Sequence, residues 1–336
     1  MIIERRDSSI RKVASAALGG ASIEWYDFFI YGTAAALVFP ALFFPSTMPP
    51  LVAQLAAFST FAIGFIARPL GGALFGHFGD RSGRKKALVV ALILMGVATC
   101  LIGVLPTYAQ VGSLAPIGLV FLRLIQGLAL GGQWGGAVLL VTESAPEGKR
   151  GFYGAFAQAG VPVGVVLANL MFLVIVKLVS PEAFQAWGWR IPFLLSGALV
   201  ALAIYVQFRL EESPAYKELA SGRSSETATK PRSPIVAVLL KFPSRILLAG
   251  AAFVAMNACF YIMITFAMSY GTIELGFDRS ALLMAVLIGS VFMIPALFVA
   301  AAWSDRWGRI GVYAIGAVLS GIWAFAFFPL LQTGVE

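Results

Sequence analysis

Long apolar stretches separated by short polar segments dominate the chain. A helix needs about 20 mostly apolar residues to cross a bilayer. Nine stretches are long enough and predict nine transmembrane helices, at 18–44, 52–76, 87–105, 114–142, 151–178, 190–210, 245–270, 281–302 and 311–333. The pattern therefore predicts an all-α polytopic membrane protein.

The composition of the 336-residue chain agrees with this prediction. Hydrophobic residues make up 60% of it and charged residues 12%, whereas an ordinary soluble domain is about 25% charged. A soluble enzyme is therefore excluded. The net charge of +8 does not indicate a nucleic-acid partner, because the basic residues collect in alternate loops.

The basic loops set the predicted orientation. Lysines and arginines cluster in residues 1–15 and in the loops after the second, fourth, sixth and eighth stretches, and the other loops hold few. Since cytoplasmic loops carry this excess, we expect a cytoplasmic N-terminus. The polar, Ser/Thr/Pro-rich segment 211–243 then links an N-terminal six-helix bundle (16–210) to an incomplete C-terminal bundle of three helices (244–336).

A short motif occurs once in each predicted bundle. Asp-Arg-x-Gly-Arg stands at 80–84 and again at 305–309, each time between the second and third helix of its half. This spacing predicts a parallel internal repeat. We interpret the two loops as a cytoplasmic gate, with plain positive-inside decoration as the alternative; the gate residues are Gly76, Asp80, Arg81, Gly83, Arg84, Asp305, Arg306, Gly308 and Arg309.

The first loop resembles the signature of the major facilitator superfamily, G-x-x-x-D-R-x-G-R-[RK]-[RK]. More narrowly, the chain is similar to the metabolite:proton symporter family, which includes shikimate, α-ketoglutarate, citrate and proline/betaine transporters. The segments that carry this similarity are IEWYDFFIYG (23–32), RLIQGLALGGQWGGA (123–137), ESAP (143–146), GWRIPF (188–193) and LEESPAY (210–216).

The resemblance implies secondary transport in a bacterial inner membrane. It implies proton-coupled symport of a small organic acid or zwitterionic metabolite, by alternating access of two bundles. The family has twelve helices, so the nine predicted here lead us to expect a shortened form. A transport-inactive remnant or a sensor is therefore the alternative.

Polar residues inside the stretches are the candidate binding residues, because ionisable groups are costly in lipid. Glu24, Asp27 and Tyr31 fall on one face of the first helix. We interpret them as a proton or cavity site, with a solvated Glu24 or a structural salt bridge as alternatives. Weaker candidates for lining the cavity, or for a plain interhelical hydrogen bond, are Gln158, Asn257 and Tyr261.

The fourth stretch carries a second polar stripe. Its members share an arc of the helix and suit a carboxylate or a hydroxylated metabolite: Arg123, Gln126, Gln133 and Trp134. Arg123 is also a candidate counter-ion for Asp27. The family usually has Glu where Gln133 stands. Arg68 beside Pro69 is interpreted as structural, and Gly127, Gly131 and Gly135 as small-residue helix packing.

No enzyme is predicted. The chain has one histidine and neither H-E-x-x-H nor G-x-S-x-G, and it lacks a nucleotide-binding G-x-x-x-x-G-K-[ST]. We therefore expect no cofactor and no metal. The expected partners are a small metabolite, protons and the lipid bilayer, with no nucleic acid, and the chain is expected to be monomeric.

Overall fold

The computed structural model describes residues 2–82, 84–131, 141–142, 145–209 and 241–333. The described residues form helices and short connections, with no β-strand among them. The helices are α1 (Ile2–Leu37), α2 (Phe39–Leu42), α3 (Pro50–Ser82), α4 (Arg84–Val104), α5 (Tyr108–Val111), α6 (Leu114–Gly131), α7 (Arg150–Leu178), α8 (Pro181–Ala186), α9 (Ile191–Arg209), α10 (Pro243–Tyr261), α11 (Ala267–Ile273), α12 (Arg279–Trp307) and α13 (Arg309–Gln332).

Each predicted span has a helical counterpart in the described ranges. Six are long and apolar enough to cross a bilayer: Pro50–Gly79, Leu114–Gly131, Arg150–Leu178, Pro243–Ile273, Arg279–Trp307 and Arg309–Gln332. Two shorter apolar helices cover Val89–Val104 and Gly188–Ala201. Helix α1 is long but less apolar, because it carries Glu24 and Asp27. The all-helical membrane fold is thus confirmed.

The helices of the N-terminal part pack through small residues. Helix α7 lies between α1 and α12 and contacts both extensively. A Cβ at Gly160 would lie 2.4 Å from the Cβ of Ala21, and one at Gly164 would lie 2.6 Å from the Cβ of Trp25. Only glycine permits this approach of α7 to α1, which fixes the position of the carboxylate-bearing face of α1.

The same kind of packing joins α3 to α6. A Cβ at Gly131 would lie 2.0 Å from the carbonyl oxygen of Arg68, and one at Gly127 would lie 2.3 Å from that of Gly64. The predicted glycine packing is therefore confirmed at Gly127 and Gly131, and Gly135 lies outside the described residues. Gly64 also makes room for Arg123, whose Nε would be 2.6 Å from a Cβ there.

The helix bounds at the two Asp-Arg-x-Gly-Arg motifs match in register, with Gly83 of the first motif outside the described residues. Helix α3 ends at Ser82 and α4 begins at Arg84, while α12 ends at Trp307 and α13 begins at Arg309. Gly308 has a φ of +87°, a left-handed conformation that favours glycine at such a turn. The matched boundaries agree with the internal repeat that the sequence predicts.

The domain division into 16–210 and 244–336 stays a prediction. Most of the linker 211–243 lies outside the described residues. Helices α10 and α13 have no fully buried residue in the structure, and most of their apolar side chains are exposed.

Candidate functional site

The polar face of α1 is buried, as the one-face prediction requires. Glu24 is 7% exposed, Asp27 1% and Tyr31 fully buried. The alternative of a solvated Glu24 is therefore wrong. The Tyr31 hydroxyl lies 2.7 Å from the Thr60 hydroxyl of α3, which fixes the tyrosine ring against that helix.

Asp27 accepts a hydrogen bond from a residue of α9. Its Oδ1 accepts a hydrogen bond from the hydroxyl of Ser196, a buried residue. The Thr99 hydroxyl of α4 lies beside the same carboxylate. The other oxygen, Oδ2, is buried and has no hydrogen-bond partner in the part of the chain that the structure describes.

Arg123 is the matching cation on α6 and is 1% exposed. Its Nη1 donates to Gln126 Oε1 at 3.0 Å, and its Nε donates to the carbonyl of Phe61 at 3.5 Å. Gln126 Nε2 in turn donates to the Thr99 hydroxyl at 2.8 Å. Nη2 is buried and has no partner among the described residues.

Aromatic rings enclose the Arg123 guanidinium. Its Cζ lies 4.3 to 4.7 Å from three ring centroids, those of Tyr31, Phe28 and Phe61. A cation over a ring face is stabilised by the ring quadrupole, most strongly where water is excluded. The rings therefore stabilise a buried charge that has only part of its hydrogen bonds.

Asp27 and Arg123 meet at one small cavity. Its volume is about 10 Å³, and it is lined by Asp27, Phe28, Met95, Arg123, Gln126 and Leu130. That is about the space one water molecule needs. No ion pair joins Asp27 to Arg123 among the described side chains, because Asp27 bonds Ser196 and Arg123 bonds Gln126. The interpretation of Arg123 as the counter-ion of Asp27 across the cavity stays a prediction.

Arg68, which the sequence analysis interprets as structural, lies among the aromatic rings of the site. Its Cζ lies 4.5 Å from the centroids of Phe28 and Phe65, and Glu24 and Tyr261 are its electrostatic neighbours. It therefore shares the Phe28 ring with Arg123. Its place directly after the glycine- and aromatic-rich part of the second stretch could have indicated burial inside the bundle.

The remaining candidates divide between the site and the periphery. The Tyr261 ring contacts Phe28 and Phe65, with centroids 6.0 and 5.0 Å apart, and a π-helical turn, Ile262–Phe266, follows it. Asn257 instead donates to the carbonyl of Phe253 on its own helix, and the half-buried Gln158 does not line the cavity. Gln133 and Trp134 lie outside the described residues.

The second motif joins two helices that lie far apart in sequence. Asp305 Oδ1 accepts from the amide of Gly151 at 2.8 Å, and Oδ2 accepts from the amide of Phe152 at 2.9 Å. Asp305 thus caps the first turn of α7, where free amides attract a carboxylate. Arg306 and Arg309 are exposed. The contact places the loops after the fourth and eighth apolar stretches on the same side of the helix bundle.

The first motif is only partly described. No described atom lies within 4 Å of a Cβ at Gly76. Gly83 and the side chains of Asp80, Arg81 and Arg84 lie outside the described part of the chain, so their gating contacts stay a prediction.

A bundle of apolar helices that buries ionisable side chains of opposite charge around a small cavity is typical of a membrane transporter. Comparison with known proteins places the chain within that class. The chain belongs to the major facilitator superfamily, whose sequence profile matches residues 25–335.

Three relatives show the extent of the similarity. The shikimate transporter of Escherichia coli K12 is 43% identical over 329 residues, which cover 97% of this chain and 73% of that protein. The proline/betaine transporter of Salmonella typhimurium LT2 is 33% identical over 336 residues, covering 98% and 66%. The partially occluded inward-open structure of the E. coli xylose transporter XylE matches with a TM-score of 0.64 at 21% identity, covering 90% of this chain and 72% of that chain.

These comparisons confirm the predicted family and fold. They favour a secondary transporter over a sensor, and the relatives are named as transporters, so the chain is not an enzyme.

Proposed function

We propose that the protein couples the inward movement of protons to uptake of a small organic acid or zwitterionic metabolite, by alternating access. The observation that carries the proposal is that two buried side chains of opposite charge, Asp27 and Arg123, line one cavity, and that each has one polar atom without a partner among the described residues. The named substrates of the relatives, shikimate and proline/betaine, support a small polar solute.

Asp27 is the proposed proton carrier. Burying an ionised carboxylate without full hydrogen bonding is costly, so protonation stabilises the closed site. It also removes a negative charge from the cavity, which leaves Arg123 to attract an anionic group of the substrate. Proton and substrate thus bind cooperatively, and this coupling between two sites is reciprocal.

The Arg123 side chain is the proposed substrate contact. Its free Nη2 offers a charge-assisted hydrogen bond, and Gln126 holds the guanidinium in place. Gln126 also connects this group to Thr99, which lies beside Asp27. A change of charge on Asp27 therefore acts on Arg123 through a short chain of polar groups as well as across the cavity.

The Asp305 cap is the proposed gate contact. It holds the N-terminal end of α7 to α12, and the predicted orientation puts this end at the cytoplasm. Opening toward the cytoplasm requires that the cap breaks, so its strength sets how much of the protein is open to that side. In this arrangement the protein lies in the inner membrane with its N-terminus in the cytoplasm. A single chain is the transporting unit.

Uptake into reconstituted vesicles with an imposed pH gradient tests the proposal. We expect a labelled metabolite from a panel of organic acids and zwitterions to accumulate above its outside concentration, and a protonophore to abolish the accumulation. Uptake that reaches the same level with and without the pH gradient would contradict proton coupling.

A further inference from the structure

Arg68 carries an unused hydrogen-bonding edge inside the protein. Its Nε and Nη2 atoms are both buried and have no hydrogen-bond partner in the described ranges. These two nitrogens form one side of the planar guanidinium, and their N–H bonds point in parallel. Such an edge matches the two oxygens of a carboxylate, which it binds bidentately.

Three aromatic rings pack around the Arg68 guanidinium. The Arg68 Cζ lies 4.5 Å from the centroids of Phe28 and Phe65 and 5.6 Å from that of Trp25. The ring faces stabilise the cation but give its Nε and Nη2 groups no acceptor, and the polar neighbours of this arginine are the Tyr261 hydroxyl and the buried Glu24 carboxylate. The indole Nε1 of Trp25 is also buried without a described partner, which adds a further unused donor at the same place.

The unused donors of Arg68 and Arg123 lie around one ring. The Arg123 Cζ is 4.4 Å from the Phe28 centroid and the Arg68 Cζ is 4.5 Å from it, so the two guanidinium groups are separated by no more than the sum of these distances. Leaving charged donors unpaired in a buried site is expensive. A ligand with a carboxylate group removes that cost, whereas a cationic group does not.

The same contacts disfavour a quaternary ammonium group. Such a group is recognised by the faces of aromatic rings, and here Arg68 and Arg123 already cover the faces around Phe28 with positive charge. A zwitterion of the betaine type would bring a third cation to rings that two arginines already occupy. Only the carboxylate of such a zwitterion would be stabilised by the two arginines.

We infer that Arg68 binds the carboxylate of the transported substrate through its Nε and Nη2 edge, and that the protein selects net-anionic organic acids over quaternary-ammonium zwitterions. The inference rests on the proposed function and names the substrate class of that site. It makes Arg68 a substrate-binding residue in addition to Arg123.

Binding to the purified protein in detergent tests this directly. The probes are three anions, shikimate, succinate and α-ketoglutarate, and one zwitterion, glycine betaine, each titrated calorimetrically at neutral pH. We expect at least one anion to bind the parent protein about tenfold or more tightly than glycine betaine. We expect Arg68→Gln to reduce that ratio at least about tenfold, because it removes a charge-assisted bidentate contact.

The control is Arg245→Gln. Arg245 is exposed and also lies over a ring, with its Cζ 5.4 Å from the Phe242 centroid. The substitution Arg245→Gln should therefore leave the ratio of the two affinities unchanged. If Arg68→Gln is too unstable to purify, Arg68→Lys applies the same test, since it keeps the charge and loses the flat edge. The ratio of two affinities is insensitive to a general loss of folded protein.

Three results would overturn the inference: no anion of the panel binds the parent protein, glycine betaine binds as tightly as the best anion, or the ratio survives the loss of Arg68. The proposed proton coupling fails separately. An anion that binds with the expected ratio but does not accumulate under a pH gradient contradicts coupling alone, and proton-driven accumulation of glycine betaine contradicts the inference alone.

Discussion

Asp27 and Arg123 line one cavity of about 10 Å³, and each has a buried polar atom without a partner in the part of the chain that the structure describes. The two atoms are an acceptor, Oδ2, and a donor, Nη2. An unsatisfied buried group costs about 1–3 kcal/mol, and more when it is charged. A proton on the acceptor, or an anionic group that accepts from the donor, removes part of this cost. Binding of a proton and binding of a substrate are therefore both favoured at this pair.

The first prediction concerns the shape of the cation. Arg123→Lys keeps the charge but loses the fork that bonds Gln126 while presenting Nη2 to the cavity. We expect the uptake rate at subsaturating substrate to fall at least about tenfold, since an ammonium cannot replace a planar guanidinium at such a site. Initial rates in vesicles with equal amounts of protein measure the effect.

The matched control for that substitution is Arg245→Lys at an exposed position. It should leave the rate within about twofold of the parent, because an exposed cation contributes little to stability or to the site. Equal uptake rates for Arg123→Lys and the parent would show that the planar guanidinium of Arg123 has no role in transport.

The second prediction concerns the close contact of α3 with α6. A Cβ at Gly131 would lie 2.0 Å from the Arg68 carbonyl oxygen, a backbone atom that cannot move aside. Gly131→Ala should therefore separate the two helices and lower the melting temperature in detergent, with a cost of about 1–3 kcal/mol or more.

Gly316→Ala provides the comparison on α13, where nothing lies within 4 Å of the added Cβ. Its melting temperature should match that of the parent. If both alanine variants melt alike, the helix contact at Gly131 is looser than the structure shows.

The sequence predicts the helices and their burial better than it predicts partners. Hydropathy and the repeated motif are local patterns, so the spans and the matched helix ends at Ser82 and Trp307 follow from them. The bonds of Asp27 to Ser196 and of Asp305 to the first turn of α7 join residues about 150 or more positions apart. No local pattern encodes such a pairing.

Arg68 shows the same limit for the site. In sequence it adjoins Pro69 and stands near a basic loop, which suggests a structural arginine. Its stacking on Phe28 depends on how α1 and α3 cross, and that crossing is set by contacts elsewhere. The aromatic residues that surround it are common in membrane helices, so their number alone does not indicate a cation site.

The third prediction tests the Asp305 cap. Asp305→Asn replaces one acceptor oxygen by an NH₂ group, which cannot accept from the second amide of α7. A lost cap costs about 0.5–2 kcal/mol, so the amides of 151–155 should exchange with solvent several times faster. Hydrogen exchange with mass spectrometry measures this.

Asp278→Asn is the matched control at the other end of α12. Asp278 accepts from the Ser280 hydroxyl and from the Ser280 amide within its own turn, and these hydrogen bonds hold the pKa of Asp278 below its usual range. The Asp278 carboxylate is therefore ionised at neutral pH. Its loss should leave exchange at 151–155 unchanged, and faster exchange there in both variants would argue against a specific contact between helices.

The central claim is that Asp27 carries the coupled proton, and Asp27→Asn tests it most directly. The amide oxygen can still accept from Ser196, so the site keeps its packing but cannot take up and release a proton. The deciding measurement compares two readouts on the same vesicles, substrate counterflow without a gradient and accumulation with an imposed pH gradient. We predict that counterflow persists and that accumulation above the outside concentration disappears. Accumulation by Asp27→Asn at the level of the parent protein would contradict the assignment.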